Sequence, residues 1–127
     1  MGFEGVENLR ILKEAEDIAD EIWDEVIKWD YFAKNTVGKQ LVESADSAGA
    51  NIAESQGRFQ PGDAIHFLHI ARGSLQEAKF WLRRAIRRKL MSEDKYNYFH
   101  DKYDNLLPQL NAYITTQKQR KKRNLTT

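Results

Sequence analysis

The chain of 127 residues has no cysteine, only two prolines, and no apolar run near the roughly 20 residues that a membrane span needs. Without cysteine, disulfides and thiolate chemistry are excluded, which is compatible with a reducing compartment. The first residues, MGFEGVENLR, lack the basic stretch and apolar run of a signal peptide. We therefore expect a cytoplasmic protein without membrane contact, and its length predicts one domain.

Motifs that carry enzyme chemistry are also missing. The sequence has neither a glycine-rich phosphate loop nor a Gly-x-Ser-x-Gly elbow, and no serine has an evident histidine base. A di-iron bundle needs Glu-x-x-His on two helices, whereas Asp63-Ala64-Ile65-His66 is a single near match. His66 and His69 are spaced to share a metal, although such pairs on a helix surface are usually unliganded. We predict no catalytic residue, no metal and no cofactor, and hence no enzyme.

Charge is balanced in number but not in place. The chain carries 20 basic and 19 acidic side chains. Residues 1–31 hold ten acids against three bases, residues 72–89 hold seven bases against one acid, and residues 118–123 hold five bases. Blocks of opposite sign allow copies of the chain to join head to tail, or offer one basic face to a polyanion.

Helical periodicity marks four segments, and none shows sustained alternation. Within the third segment, leucine and alanine recur three and four residues apart from Leu68 to Ala85, which is the spacing of a left-handed bundle. Short links make neighbouring helices antiparallel. The sequence predicts an all-α, antiparallel up-down-up-down four-helix bundle. The predicted helices cover residues 6–29, 36–57, 64–90 and 93–119.

Helix ends and one helix interior carry their own signals. Asn35 or Thr36 is predicted to cap the second helix, Asp63 the third and Ser92 the fourth. Pro108 cannot donate its backbone hydrogen bond and should kink the fourth helix.

The last ten residues have no apolar face, and we expect them to be disordered. The predicted division is a bundle domain over residues 1–117 and a basic tail over residues 118–127.

A polar stripe accompanies the apolar stripe of the second helix. Two interpretations remain open, a solvated flank of short side chains and an interhelical hydrogen-bond network. With the link near residue 60, Ser47 lies level with Gly73, and Arg72 could reach Glu54 or Asn51. A buried charge needs such a partner. The residues predicted to hold helices and neighbouring copies in register are Asn51, Glu54, Arg58, Arg72 and Glu77.

A basic flank follows the third helix, with Phe80 among its arginines. Positive charge tracks phosphates, and an aromatic ring can stack on a base. Two other interpretations stay open, pairing with an acidic first helix of this or another copy, and binding of other anions. The residues predicted to contact phosphates are Arg72, Arg83, Arg84, Arg87, Arg88, Lys118, Arg120, Lys121, Lys122 and Arg123.

Aromatic side chains exceed what a two-heptad seam can bury. Surplus aromatic surface on a small bundle commonly marks association, although a wide ordinary core also accounts for it. The residues concerned are Trp23, Trp29, Tyr31, Phe32, Phe67, Phe80 and Trp81.

Two motifs carry a family resemblance. Asn-Ile-Ala-Glu at 51–54 is followed by Gly-Arg at 57–58 and by Phe-Leu-His-Ile-Ala-Arg-Gly-Ser-Leu-Gln-Glu at 67–77. Over about residues 8–117, the chain resembles the four-helix bundle proteins encoded within intervening sequences of bacterial large-subunit ribosomal RNA genes, a ribosomal-protein-like family. It departs from their pattern at Ser55, where glycine is usual.

The resemblance implies an antiparallel bundle that assembles as a ring, expected to be a pentamer. A related group, the accessory variability determinant proteins of diversity-generating retroelements, forms basic pentameric barrels that work with a reverse transcriptase and nucleic acid. The resemblance thus implies three partners, namely the chain itself, RNA or DNA, and, in the retroelement branch, a reverse transcriptase.

Sequence and resemblance together predict a non-enzymatic, homo-oligomeric bundle protein that binds nucleic acid through its third helix and tail. The alternative is a scaffold or protein-interaction module without direct nucleic-acid contact.

Overall fold

The computed structural model describes the backbone of residues 3–126 and the side chains of residues 9–125. Four helices follow one another without a strand between residues 3 and 126, so the predicted all-α class is confirmed. These helices carry too many polar side chains for any of them to span a bilayer. They are α1 (Phe3–Val26), α2 (residues 31–56, made of Tyr31–Ala33, a π-helical segment Lys34–Gly38, and Lys39–Gln56), α3 (Pro61–Arg87) and α4 (Glu93–Thr126).

Each helix packs against the next one in the chain, and α4 returns to α1. The contact between α3 and α4 is antiparallel, because Arg72 meets Asn111 and Lys79 meets Asp104. Moving seven residues forward on α3 therefore moves seven residues back on α4. The α1–α2 pair and the α3–α4 pair form opposite faces of the four-helix bundle.

The core consists of the stripes that the periodicity predicts. On α3 the residues from Leu68 to Ala85 that recur at three- and four-residue spacing are fully buried. Their alternation of large and small side chains lets them interdigitate with the larger residues of α4. Those larger residues are Phe99, Tyr103, Leu106 and Leu110.

Helix α2 begins earlier than its predicted caps. The carboxylate of Asp30 accepts the backbone N–H of Ala33 at 3.0 Å and is the N-cap. Asn35 and Thr36 lie inside the helical run, where their side chains donate to carbonyls one turn back. The predicted cap at either residue is therefore wrong, because the polar groups that favour caps are satisfied here by the preceding turn.

The start of α3 also differs from its prediction, whereas that of α4 agrees. Gln60 precedes the helix and Pro61 occupies its first position, where a missing N–H costs nothing. Asp63 consequently lies in the first turn and not at the cap. Ser92 caps α4 as predicted, its Oγ accepting the N–H of Lys95 at 3.1 Å.

Helix α4 continues through Pro108 to Thr126. The disorder predicted from residue 118 onwards is therefore wrong as far as residue 126, and Thr127 lies outside the described residues. Gln117 is buried, and Arg120 donates to its Oε1 at 2.7 Å. Lys121 packs its aliphatic stem beside Gly62 of α3. The tail is held by these contacts, which a search for apolar stripes does not detect.

Candidate nucleic-acid interface and the acidic face

A small hydrogen-bond network joins α2 to α3. The hydroxyls of Ser47 and Ser74 lie 2.9 Å apart. The side-chain amide of Asn51 donates to the Ser47 hydroxyl at 3.1 Å and to the Ser47 carbonyl at 2.9 Å. The sequence predicts that Ser47 lies opposite Gly73 on α3. In the structure it lies opposite Ser74, so the α2–α3 register differs from the prediction by one residue.

Arg72 points away from this network. Its Nη1 donates to Oδ1 of Asn111 on α4 at 2.9 Å. The predicted contact with Glu54 or Asn51 is therefore wrong. Apolar periodicity identifies the buried face of α3, but it does not say which edge of that face meets α2 and which meets α4.

The other residues predicted for the network are spread over the surface. Glu54 forms an ion pair with Arg58, one turn further along the same chain segment. The guanidinium carbon of Arg58 lies 4.7 Å from the ring centroid of Phe67, a cation–π contact that links the end of α2 to α3. Glu77 is exposed on α3.

Five neighbouring cations lie in the last turns of α3 and directly after it, and we call them the α3 basic end. The group is Arg83, Arg84, Arg87, Arg88 and Lys89. Four of them are exposed, and the described part of the chain provides none of the five with an ion pair. Phe80 is 43% exposed, with the Arg84 guanidinium carbon 6.0 Å from its ring centroid.

The cations of the tail form a second group, the α4 basic end, which comprises Lys118, Arg120, Lys121, Lys122 and Arg123. Because α4 runs antiparallel to α3, this group lies beside the N-terminal end of α3, where Lys121 contacts Gly62. Gly62 and Arg87 are separated by about 37 Å at 1.5 Å per helical residue. The structure thus places the two predicted phosphate-binding groups at opposite ends of the bundle.

Between these ends, the α3–α4 edge carries His69 and Arg72. Partial burial lowers the pKa of His69, and the positive charges of Arg72 and Lys118 lower it further. Two turns further along α3 on the same edge, the Lys79 ammonium pairs with Asp104 of α4. The hydrogen bond from Lys79 holds the pKa of that carboxyl below its usual value. The middle of the edge is therefore positive, whereas the Lys79–Asp104 level is neutralised.

The α1–α2 face has a different surface. A groove of about 770 Å³ runs between the two helices over a floor of small residues that includes Ala45 and Gly49. Asp20 of α1 and Asp46 of α2 both line it. Partial burial and the negative charge of Asp20 raise the pKa of Asp46. In the described part of the chain, neither carboxylate has an ion pair, so the groove presents uncompensated negative charge.

Apolar side chains follow the same edge of α1. Leu9, Trp23 and Ile27 are each at least half exposed, at 57%, 54% and 50%. Trp23 and Ile27 also line a second groove, of about 300 Å³, with Val42 of α2. We call these three side chains the apolar edge, of which Ile27 directly follows the end of α1.

The surplus aromatic residues divide between core and surface. Trp29 is buried in the core and Trp81 packs against it, which supports the wide-core interpretation for these two, whereas Phe67 is part-buried beneath Arg58. Trp23 and Phe80 remain on opposite faces with large exposed areas. Tyr31 and Phe32 are also exposed at the start of α2.

Sequence reasoning missed the acidic groove. Glu16 and Asp20 are four residues apart on α1, and that spacing was visible in the sequence. The contribution of Asp46 depends on the α1–α2 register, for which the sequence carries no marker. Among the described side chains, no group of three or more histidine, cysteine or acidic residues is placed to hold a metal ion.

Comparisons with known proteins agree with the fold and the motifs. The sequence profile of a family described as 23S rRNA-intervening sequence protein matches residues 7–112. A solved structure at 1.70 Å is similar, that of a protein of unknown function from the S23 ribosomal protein family of Bacteroides thetaiotaomicron VPI-5482. The two share 21% identity with a TM-score of 0.77, over 86% of this chain and 98% of that one.

No curated protein matches this chain. At 21% identity the solved structure supports the fold alone, whereas the profile match extends over most of the sequence and contains both motifs. The chain therefore belongs to the 23S rRNA-intervening sequence protein family.

Proposed function

We propose that this protein is a non-enzymatic, homo-oligomeric bundle protein that associates with RNA or DNA through its α3–α4 face. The observation that carries the proposal is the α3 basic end, five neighbouring cations for which the described residues supply no acidic partner. Arginine forks bind phosphate oxygens in pairs, and cations that are not already paired gain most from doing so. The exposed ring of Phe80 beside Arg84 offers a surface on which a base can stack.

The proposal of self-association rests on the α1–α2 face. Monomeric proteins rarely expose contiguous apolar patches larger than about a few hundred Å², and a patch above that size marks an interaction site. The apolar edge places Leu9, Trp23 and Ile27 along one side of α1, beside two grooves. We propose that a second copy covers this edge. A pentameric ring and a reverse-transcriptase partner stay predictions from the family resemblance.

The acidic groove favours one alternative function, a scaffold without nucleic-acid contact. Asp20 and Asp46 lie close enough for the charge of one to raise the pKa of the other. A cation from another molecule would relieve this repulsion. In the alternative, the α3 basic end of one copy enters the groove of the next, a head-to-tail contact that can close into a ring.

One variant separates the two functions, the replacement of Arg83, Arg84, Arg87 and Arg88 by glutamine. If the α3 basic end binds nucleic acid, the variant should keep its assembly mass in light scattering and lose affinity for a single-stranded RNA. The slope of log K against log salt should fall by about 0.7 for each phosphate contact removed.

The matched control is Asp20→Asn with Asp46→Asn, which leaves the α3 basic end intact and should keep RNA binding. Loss of assembly in the arginine variant, without a change in RNA affinity, would support the scaffold. The nucleic-acid proposal fails if the unmodified protein retains neither RNA nor DNA at low salt.

A further inference from the structure

We propose that His69, Arg72, Asn111 and Lys118 form a phosphate-binding subsite on the α3–α4 edge, and that His69 takes up a proton when phosphate binds there. The site extends from Lys118, the first cation of the α4 basic end, towards the middle of α3. It deepens the proposed function by naming where one phosphate of a bound strand is held. The same chemistry also suits a free phosphate ion, so the experiment below treats the two sources separately.

Arg72 is positioned for such a ligand by its neighbour. Its Nη1 donates to Oδ1 of Asn111 at 2.9 Å, which fixes the guanidinium against α4. The other N–H groups of this guanidinium have no hydrogen-bond partner in the described part of the chain. A planar, immobilised fork loses little side-chain entropy when it binds the oxygens of a phosphate.

The α3–α4 register brings the remaining groups to the same place. Asn111 and Lys118 are seven residues apart, two turns along one edge of α4. Because Arg72 meets Asn111 in an antiparallel pair, Lys118 lies opposite residue 65. That level is one turn from His69, about 6 Å along the helix axis and within reach of a lysine side chain.

The charged groups around His69 are all basic. The groups that act on its imidazole are Arg72 and His66 on α3 and Lys118 on α4, without a carboxylate among them. They lower the pKa of His69 after partial burial has already done so. A phosphate group is negatively charged as a diester and as a monoester, and it would replace this repulsion with attraction and raise the pKa of His69. Binding therefore takes up a proton, and affinity should increase as pH falls through the bound-state pKa.

The two other histidines of the chain, His66 and His100, can be compared with His69 in the same titration. The Nδ1 atom of His100 lies 3.3 Å from Oδ2 of Asp104 and 3.7 Å from Oδ1 of Asp101, so its surroundings are negative. His66 lies one turn before His69, with its ring centroid 5.3 Å from that of Phe67. His100 lies outside the three-group arrangement and should not respond to phosphate, whereas His66, whose charge acts on His69, should respond less than His69 does.

The experiment is a pH titration of the three histidine Cε1–H signals by NMR, between about pH 5 and 8, where imidazole titrates. The full chain is measured alone, with inorganic phosphate, and with a 5′-phosphorylated oligonucleotide. We expect the midpoint of His69 to rise most, while that of His100 stays in place. A rise with inorganic phosphate supports a site for free phosphate, and a rise with the oligonucleotide alone assigns the site to nucleic-acid phosphate.

A pair of variants adds a binding measurement. His69→Gln removes the titrating group and keeps a polar side chain, and His66→Gln is its matched control on the neighbouring turn. We expect His69→Gln to weaken oligonucleotide binding at the acid end by about fivefold, the upper range for an exposed ion pair, and to flatten its pH dependence.

Failure of this proposal is distinct from failure of the proposed function. An oligonucleotide that binds without moving the His69 signal overturns the subsite and leaves nucleic-acid association intact. Inorganic phosphate that moves the signal while no oligonucleotide binds supports the subsite and overturns the broader function.

Discussion

The α1–α2 face and the α3–α4 face are both built from amphipathic helices of similar length, yet they arrange charge in opposite ways. On the α1–α2 face, carboxylates border a groove whose floor and edge are apolar. On the α3–α4 face, cations project from the ends of helices, and the ring of Phe80 is exposed beside the α3 basic end. Apolar surface with a charged rim suits another protein, whereas neighbouring cations beside an aromatic ring suit a polyanion.

The largest expected effect comes from breaking the apolar edge. Trp23→Asp combined with Ile27→Asp places two charges where we propose that a second copy packs. Because both side chains are half exposed, the fold should survive, and the mass in light scattering should fall to that of one chain, 14.8 kDa.

Tyr31→Asp with Phe32→Asp is the matched control, since these residues are more exposed but lie outside the apolar edge. An unchanged mass in the first variant, or a monomeric parent protein, contradicts the assignment of this face to self-association.

A smaller effect should follow from removing the ion pair between α3 and α4, Lys79 with Asp104. Lys79→Met leaves Asp104 without its hydrogen-bond donor. The lowered pKa of this carboxyl stabilises the fold above its usual value near 4, and the stabilisation is lost as pH falls through the lowered pKa. Since Asp104 is half exposed, we expect a loss of about 1 kcal/mol or less in the free energy of unfolding at neutral pH.

Urea denaturation at neutral and at acid pH measures this loss, which should shrink at acid pH. Lys89→Met is the control, because Lys89 is exposed and has no ion pair in the described residues. An equal loss at both pH values would show that the lysine acts through packing of its stem.

The smallest effect concerns Gly73, on the outer side of α3. A Cβ atom added there meets nothing within 4 Å, so Gly73→Ala should raise the free energy of unfolding by about 0.5–1 kcal/mol through helix propensity. Thermal denaturation measures the gain. A loss of RNA affinity in this more stable variant would indicate that a ligand approaches the α3 backbone, which extends the basic face to the middle of the helix.

Gly38→Ala is the contrasting control, because its Cβ would lie 2.6 Å from Cγ1 of Val26, and it should destabilise the protein. A destabilised Gly73→Ala would contradict the open space observed beside that glycine.

The sequence predicts which face of a helix is buried, but not which neighbouring helix each edge of that face contacts. The spacing of leucine and alanine from Leu68 to Ala85 predicts the buried face of α3, because burial follows helical periodicity. The short link before it, residues 57–60, also keeps the predicted α2–α3 register within one residue of the Ser47–Ser74 contact. Periodicity carries no information on which way the helices turn around the bundle, so the partner of Arg72 was misassigned to α2.

Other differences arise where side-chain contacts outweigh local propensity. The tail is predicted to be disordered because it has no apolar face, but Gln117 and the stem of Lys121 supply packing that holds it helical. The sequence does not predict that Asp20 and Asp46 line one groove, because the two residues are 26 positions apart. Their proximity is a property of the packed helices.

The separation of the α3 and α4 basic ends has a consequence for the shape of a ligand. Successive turns of B-form DNA repeat every 34–36 Å or so, and the ends lie about 37 Å apart along the helices. A double helix laid parallel to α3 would thus bring the same strand past both ends one turn apart. A flexible single strand has no such repeat, and it would have to be stretched along the bundle to touch both.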